Sequence, residues 1–173
     1  MNQLIPKEER IQSLLEFGAP KSFVENIGNI DQLEFRVEDV DGAYFYLPQI
    51  ANYKILEGLN IIPIYDEGES FRVFGYNNLT QKIFHFELEN DEIYNDYGTN
   101  WNLLLLDILF QYFNDDIENG LNIVTFKKVG DKLGFSKSES LFNLLDIPVA
   151  SYNEKYQDLK KWKTELAEKL KIL

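Results

Sequence analysis

The chain has 173 residues, 45% of them hydrophobic and 14% aromatic, with 29 Asp/Glu against 17 Lys/Arg and a net charge of −12. That length suits one domain able to bury roughly 70% of its unfolded surface, and the composition excludes a disordered chain. The absence of cysteine excludes disulfides, thiolate metal sites and thiol nucleophiles, and the acidic balance disfavours direct binding to nucleic-acid phosphates.

Residues 1–10 lack the apolar run of a signal peptide. Apolar runs such as 103–106 fall far short of the ~20 residues a membrane helix needs, so a soluble cytoplasmic protein is expected. Residues 7–17 read as a helix: Ile11, Leu14, Leu15 and Phe17 lie at near-helical spacing, with Pro6 at the start and Gly18 at the stop. A second short helix is predicted over 20–27, ending near Gly28. Residues 33–38 alternate apolar and polar, the pattern of a half-buried strand. Asp41-Gly42 signals a hairpin returning through 43–47, while 48–57 suits either a short helix or an irregular connection.

Three strands are predicted within 60–87: an apolar one over 60–65 containing Pro63, then 71–74 and 83–86, with an acidic glycine turn at 66–69. Residues 88–98 read as an acidic, Asn-rich loop. Residues 100–117 form the strongest predicted helix, apolar over most of its surface and expected to lie buried against the sheet. Helices over 123–135 and 136–145 follow, the second opened by a Ser136/Glu139 capping box. After Pro148 a final amphipathic helix is predicted over 152–173, with Tyr156, Leu159, Trp162, Leu166 and Leu170 on its apolar stripe.

Helices, then about five strands, then helices indicate a single α+β domain with one mostly antiparallel sheet, N-terminal helices and a long packed helix. A core over 1–119 would carry a helical extension over 120–173 packed onto it. Charge follows the same division. Residues 1–119 hold 22 Asp/Glu and 7 Lys/Arg, net −15, whereas 120–173 hold 7 and 10, net +3. Such an acidic body would attract a basic partner and hasten the encounter.

Catalytic equipment is sparse. His85 is the only histidine, so it cannot supply a nucleophile–base pair with cysteine, and a zinc site would have only carboxylates to complete it. Asp39-Val40-Asp41-Gly42 resembles the start of a calcium loop, but the twelfth position counted from Asp39 is Ile50 rather than Glu. The glycines fit neither phosphate-cradling spacing. The carboxylates Asp66, Glu67, Glu69, Glu87, Glu89, Asp91 and Glu92 are numerous enough to supply a glycosidase-like pair by chance, and taken together they could form one acidic face. Tyr65, Tyr76, Tyr94 and Tyr97 adjoin turns and suit partner contact, because the ring packs while the hydroxyl stays wet. The expected partner-binding residues are Tyr65, Asp66, Glu67, Glu69, Tyr76, Glu89, Asp91, Glu92, Tyr94, Asp96 and Tyr97. No catalytic residue, cofactor or metal is expected.

The run Asn60-Ile-Ile-Pro-Ile-Tyr-Asp-Glu-Gly-Glu-Ser-Phe71 resembles the central signature of the SUKH superfamily, which joins yeast cell-wall regulatory proteins to bacterial immunity proteins. Lys82-Ile-Phe-His-Phe-Glu87 is similar to the family's following strand, and Ala19-Pro-Lys-Ser-Phe23 to its upstream helix start. Thr99-Asn-Trp-Asn-Leu-Leu104 matches its downstream helix start loosely. The resemblance covers roughly residues 18–115. It departs at Gly28-Asn29, where the family often has a longer Asn/Gly stretch, and it does not extend to 120–173. It implies a non-enzymatic protein that neutralises a cognate polymorphic toxin, often a nuclease; the acidic charge fits a basic one, and no direct contact with nucleic acid or membrane is expected. A regulatory scaffold of the same fold is the alternative. A carboxylate enzyme would require a deep pocket with two facing acids.

Overall fold

The computed structural model describes residues 3–33, 52–66, 70–87 and 89–173. Strand β1 (Gln3–Leu4) precedes helices α1 (Lys7–Glu16) and α2 (Lys21–Asn26). Two 3-10 turns, Asp31–Leu33 and Lys54–Leu56, lead into β2 (Asn60–Asp66), β3 (Ser70–Tyr76), β4 (Gln81–Glu87) and β5 (Ile93–Asp96). Helices α3 (Trp101–Asp116), α4 (Ile123–Leu133), α5 (Ser138–Leu145), α6 (Val149–Tyr156) and α7 (Leu159–Leu170) complete the chain. The fold is α+β, with β2 to β5 forming one antiparallel sheet and seven α-helices among the described residues. The two-residue β1 runs parallel beside Asn60 and Ile61. Among the described residues no helix is long and apolar enough to cross a membrane.

The chain divides into two compact units, Met1–Trp101 and Asn102–Leu173. In the first, β3 is buried along nearly its whole length, including the charged Arg72 between Phe71 and Val73. On one face Phe71, Val73, Phe84 and Phe86 pack with Leu56, Leu59 and Ile61, with Tyr53 and Ile55 at the margin. On the other, Phe74 meets Phe17 at 4.5 Å and Trp101 at 5.9 Å between ring centroids. The Trp101 indole N–H donates to the Phe17 carbonyl at 3.0 Å. Register shifts between Pro63 and Tyr65, where proline has no N–H to give the ladder. Gly75 leaves room for Leu59, whose Cδ1 would lie 2.9 Å from an added Cβ.

The second unit begins within α3 because that helix shares its aromatic side chains with the helices after it. Phe113 packs on Phe126 and Phe142 at 6.1 and 5.4 Å, and Phe110 on Trp162 at 5.1 Å. The sequence leads to the expectation of a single domain, with a core over 1–119 and a helical extension over 120–173. Asp107, buried within the leucine-rich part of α3, pairs with Lys163 of α7, whose ammonium also lies 5.0 Å from the Phe110 ring. Asn122 caps α4, accepting from the Val124 and Thr125 amides at 3.0 Å each.

Several expected elements differ. Leu33 closes a 3-10 turn instead of opening a strand, and the hairpin expected over 34–47 lies outside the described residues. The acidic stretch 88–98 contains β5. The expected capping box does not form. Helix α5 starts two residues later, at Ser138, Lys137 precedes it without a side-chain cap, and Glu139 instead accepts from Lys127 at 3.0 Å. The final helix is two helices. Asp158 accepts the Lys161 amide at 3.1 Å, starting a new helix there, and the chain folds back to set Tyr152 against Trp162 at 4.9 Å.

Two tests follow from this packing. A Cβ added at Gly130 of α4 would collide with the Ser138 side chain of α5, its Oγ lying 2.7 Å away. Gly130→Ala should therefore destabilise by ~1–3 kcal/mol despite alanine's better helix propensity, seen as a lower melting temperature. An equal or higher one would contradict the close crossing. The Tyr152 hydroxyl donates to Asn114 Oδ1 at 3.2 Å. Its pKa is pushed up to about 12, first by burial and then by Tyr156 and Asp115. Because the folded value exceeds the unfolded one, the associated stability is complete below the ordinary value of 10.0 and is lost as pH rises through about 12. Tyr152→Phe should flatten the alkaline stability loss in that window, measured by denaturant titration. An unchanged slope would contradict the burial.

Candidate partner-binding surface

Strand β5 is the last in the sheet order and is held by β4, with Phe84 opposite Asp96, His85 opposite Asn95 and Phe86 opposite Ile93. A bulge lies between His85 and Phe86. Since Phe84 and Phe86 are fixed in the core, β5 inherits a defined position. Its own side chains are mostly exposed, Ile93 by 36% and Tyr94 by 48%.

The approach to β5 is anchored by Asp91. This residue has a positive φ of 48°, an unusual conformation that Asp tolerates better than most residues. Its carboxylate accepts from the Lys54 amide at 3.0 Å and the Ile55 amide at 3.3 Å. One side chain thus caps the 54–56 turn and ties the β4–β5 connection to the layer packed on the core. At the other end Asp96 accepts from the Gly98 amide at 2.8 Å.

Tyr94 is held on the surface rather than left to swing. Its hydroxyl donates to Glu87 at 3.1 Å and accepts from Asn90 at 3.1 Å, and its ring lies 5.8 Å from that of His85. His85 is half-buried, with Nδ1 3.3 Å from the side-chain nitrogen (Nδ2) of Asn95. Exposed Glu89, Glu92 and Asp96 surround this region in the chain. The arrangement can present a positioned aromatic ring within a negatively charged patch. Such a ring gives contact area at a low entropy cost.

The expected site residues therefore separate. Glu89, Asp91, Glu92, Tyr94 and Asp96 come together along β5 and its approach, joined by Glu87, Asn90 and Ile93, which are not among the partner-binding residues expected from sequence. Tyr65 and Tyr97 are buried; the Arg72 guanidinium lies over the Tyr65 ring at 4.7 Å. Both rings belong to the interior, so the surface role expected for them is corrected. Tyr76 lies away from this group, 4.7 Å from Phe17 of the α1 end, and its pKa is raised by burial and then by Glu9 and Glu16. Asp66 ends β2, while Glu67 and Glu69 lie outside the described residues.

An open pocket of about 370 Å³ lies in the second unit, lined by residues including Glu154, Asp158, Trp162 and Glu165. Asp158 is engaged as the α7 cap and Glu165 pairs with Lys155 at 3.5 Å. Among the described residues no group of three His, Asp or Glu is placed to hold a metal. Compared with known proteins, the chain matches no family model, no curated protein and no solved structure.

The anchor is directly testable. Asp91→Ala removes both capping bonds and should cost about 1–2 kcal/mol. It should also speed amide exchange at Lys54 and Ile55. Unchanged exchange at those two amides would show that the carboxylate does not fasten the connection.

Proposed function

We propose that this protein is an immunity protein of the SUKH kind, which binds a basic polymorphic toxin, a nuclease for example, and occludes it. The carrying observation is Tyr94: an exposed ring held by Glu87 and Asn90 beside Glu89, Glu92 and Asp96. Aromatic anchors with defined rotamers dominate binding energy in many interfaces, and a surrounding charge of one sign accelerates encounter with a partner of the other. The net charge of −12 favours a basic partner over nucleic acid. The resemblance at 60–87 adds the expectation of an immunity role, and β2, β3 and β4 lie along that segment. The proposed setting is the cytoplasm, where a toxin arriving from a neighbouring cell would be met.

Co-expression with toxins encoded beside its gene tests this reading. A complex and protection of the cells are expected. The double variant Glu89→Lys with Glu92→Lys should keep its melting temperature, weaken binding about ten-fold or more and lessen the salt dependence. No complex and no protection with any such toxin would overturn the immunity reading. Stable capture of a housekeeping protein in its place would point to a regulatory scaffold.

A further inference from the structure

We infer that the partner is held as an extended, basic strand added along the outer edge of β5. This inference rests on the proposed acidic binding surface and specifies how that surface is used. Strand β5 ends the sheet order, and among the described residues no strand lies beyond it. In an antiparallel pair, N–H and C=O groups turn toward the neighbour at every second residue. Tyr97 donates its amide to the Ile83 carbonyl at 2.9 Å, so Asn95, two residues back and opposite His85, also turns toward β4. Asp96, between them, and Ile93, opposite Phe86, then direct their backbone groups outward, where a further strand would pair, with Tyr94 as the extra residue of the bulge between them.

Charge selects the occupant. Glu92 and Asp96 flank the exposed Ile93-Tyr94 pair. A second copy of the chain would bring the same carboxylates against them, and like charges across a strand pair are destabilising. A strand carrying lysine or arginine would instead be attracted, with Tyr94 already positioned to pack on its side chains. The acids that keep the edge from pairing with itself are thus the ones that admit the basic partner.

Amide hydrogen exchange on the full-length chain tests this at low salt. The probe is an acetylated heptapeptide of alternating lysine and valine, and the control replaces lysine with glutamate. The lysine peptide should slow exchange at Ile93 and Asp96 by about ten-fold or more, as expected when an open amide becomes hydrogen-bonded. Asn95, already turned toward β4, should change little, and the glutamate peptide should have no effect. Lysine-peptide binding that leaves Ile93 and Asp96 unprotected would overturn the strand mode while the acidic surface stands. Absence of both peptide and toxin binding would overturn both readings. Dimerisation through β5 would overturn the choice of a basic occupant.

Discussion

The register of β4 against β3 is the constraint on which the first unit depends. Phe71 faces Phe86 across the pair and Val73 faces Phe84. A slip of one residue would turn these buried side chains to the opposite face. The rings of Phe71 and Phe86, 5.9 Å apart, add about 0.5–1.5 kcal/mol beyond the burial itself. With β4 fixed, β5 is laid down beside it, and Asp91 fastens the connection to the turn at 54–56. The surface chemistry of Tyr94 is therefore a consequence of the core. An exposed ring can be held in one place only if the strand beneath it cannot move.

The helical unit is organised on a different interaction. A carboxylate in the apolar run of α3 would be costly alone, and Asp107 is offset by Lys163, 56 residues later. The lysine ammonium lies over the Phe110 ring, so the ion pair is joined to the aromatic packing. This links two helices distant in sequence. The same unit carries most of the positive charge, with 10 Lys/Arg over 120–173, so the acidic character is concentrated in the sheet-bearing unit.

The strands β2, β3 and β4 were legible because Ile, Val and Phe cluster there between turn residues, and α3 because its apolar surface is nearly continuous. Strand β5 was hidden. Its Ile93 and Tyr94 sit in a run of Asn, Asp and Glu whose local preference is for turns, and pairing with β4 overrides that preference. The signal that could have revealed it was this adjacent β-branched and aromatic pair. The break at Asp158 was masked by an apolar stripe that continues through both α6 and α7; a capping aspartate looks the same as a solvated one until the backbone turns. Tyr65 and Tyr97 adjoin turns in sequence yet point inward, because proximity to a turn does not determine which face a side chain takes. Asp91 was expected as a partner contact, and the structure uses its carboxylate to hold two backbone amides.

These relations make β5 the place where the core's rigidity meets the surface charge. Mapping protection across the whole chain, by oxidative footprinting in complex with a toxin encoded beside its gene, tests that claim most directly. The account predicts protection centred on Ile93 and Tyr94, fading toward the exposed Leu79 at the tip of the β3–β4 turn. Protection confined to that tip or to α4 through α7, with Tyr94 as reactive as in the isolated protein, would contradict it.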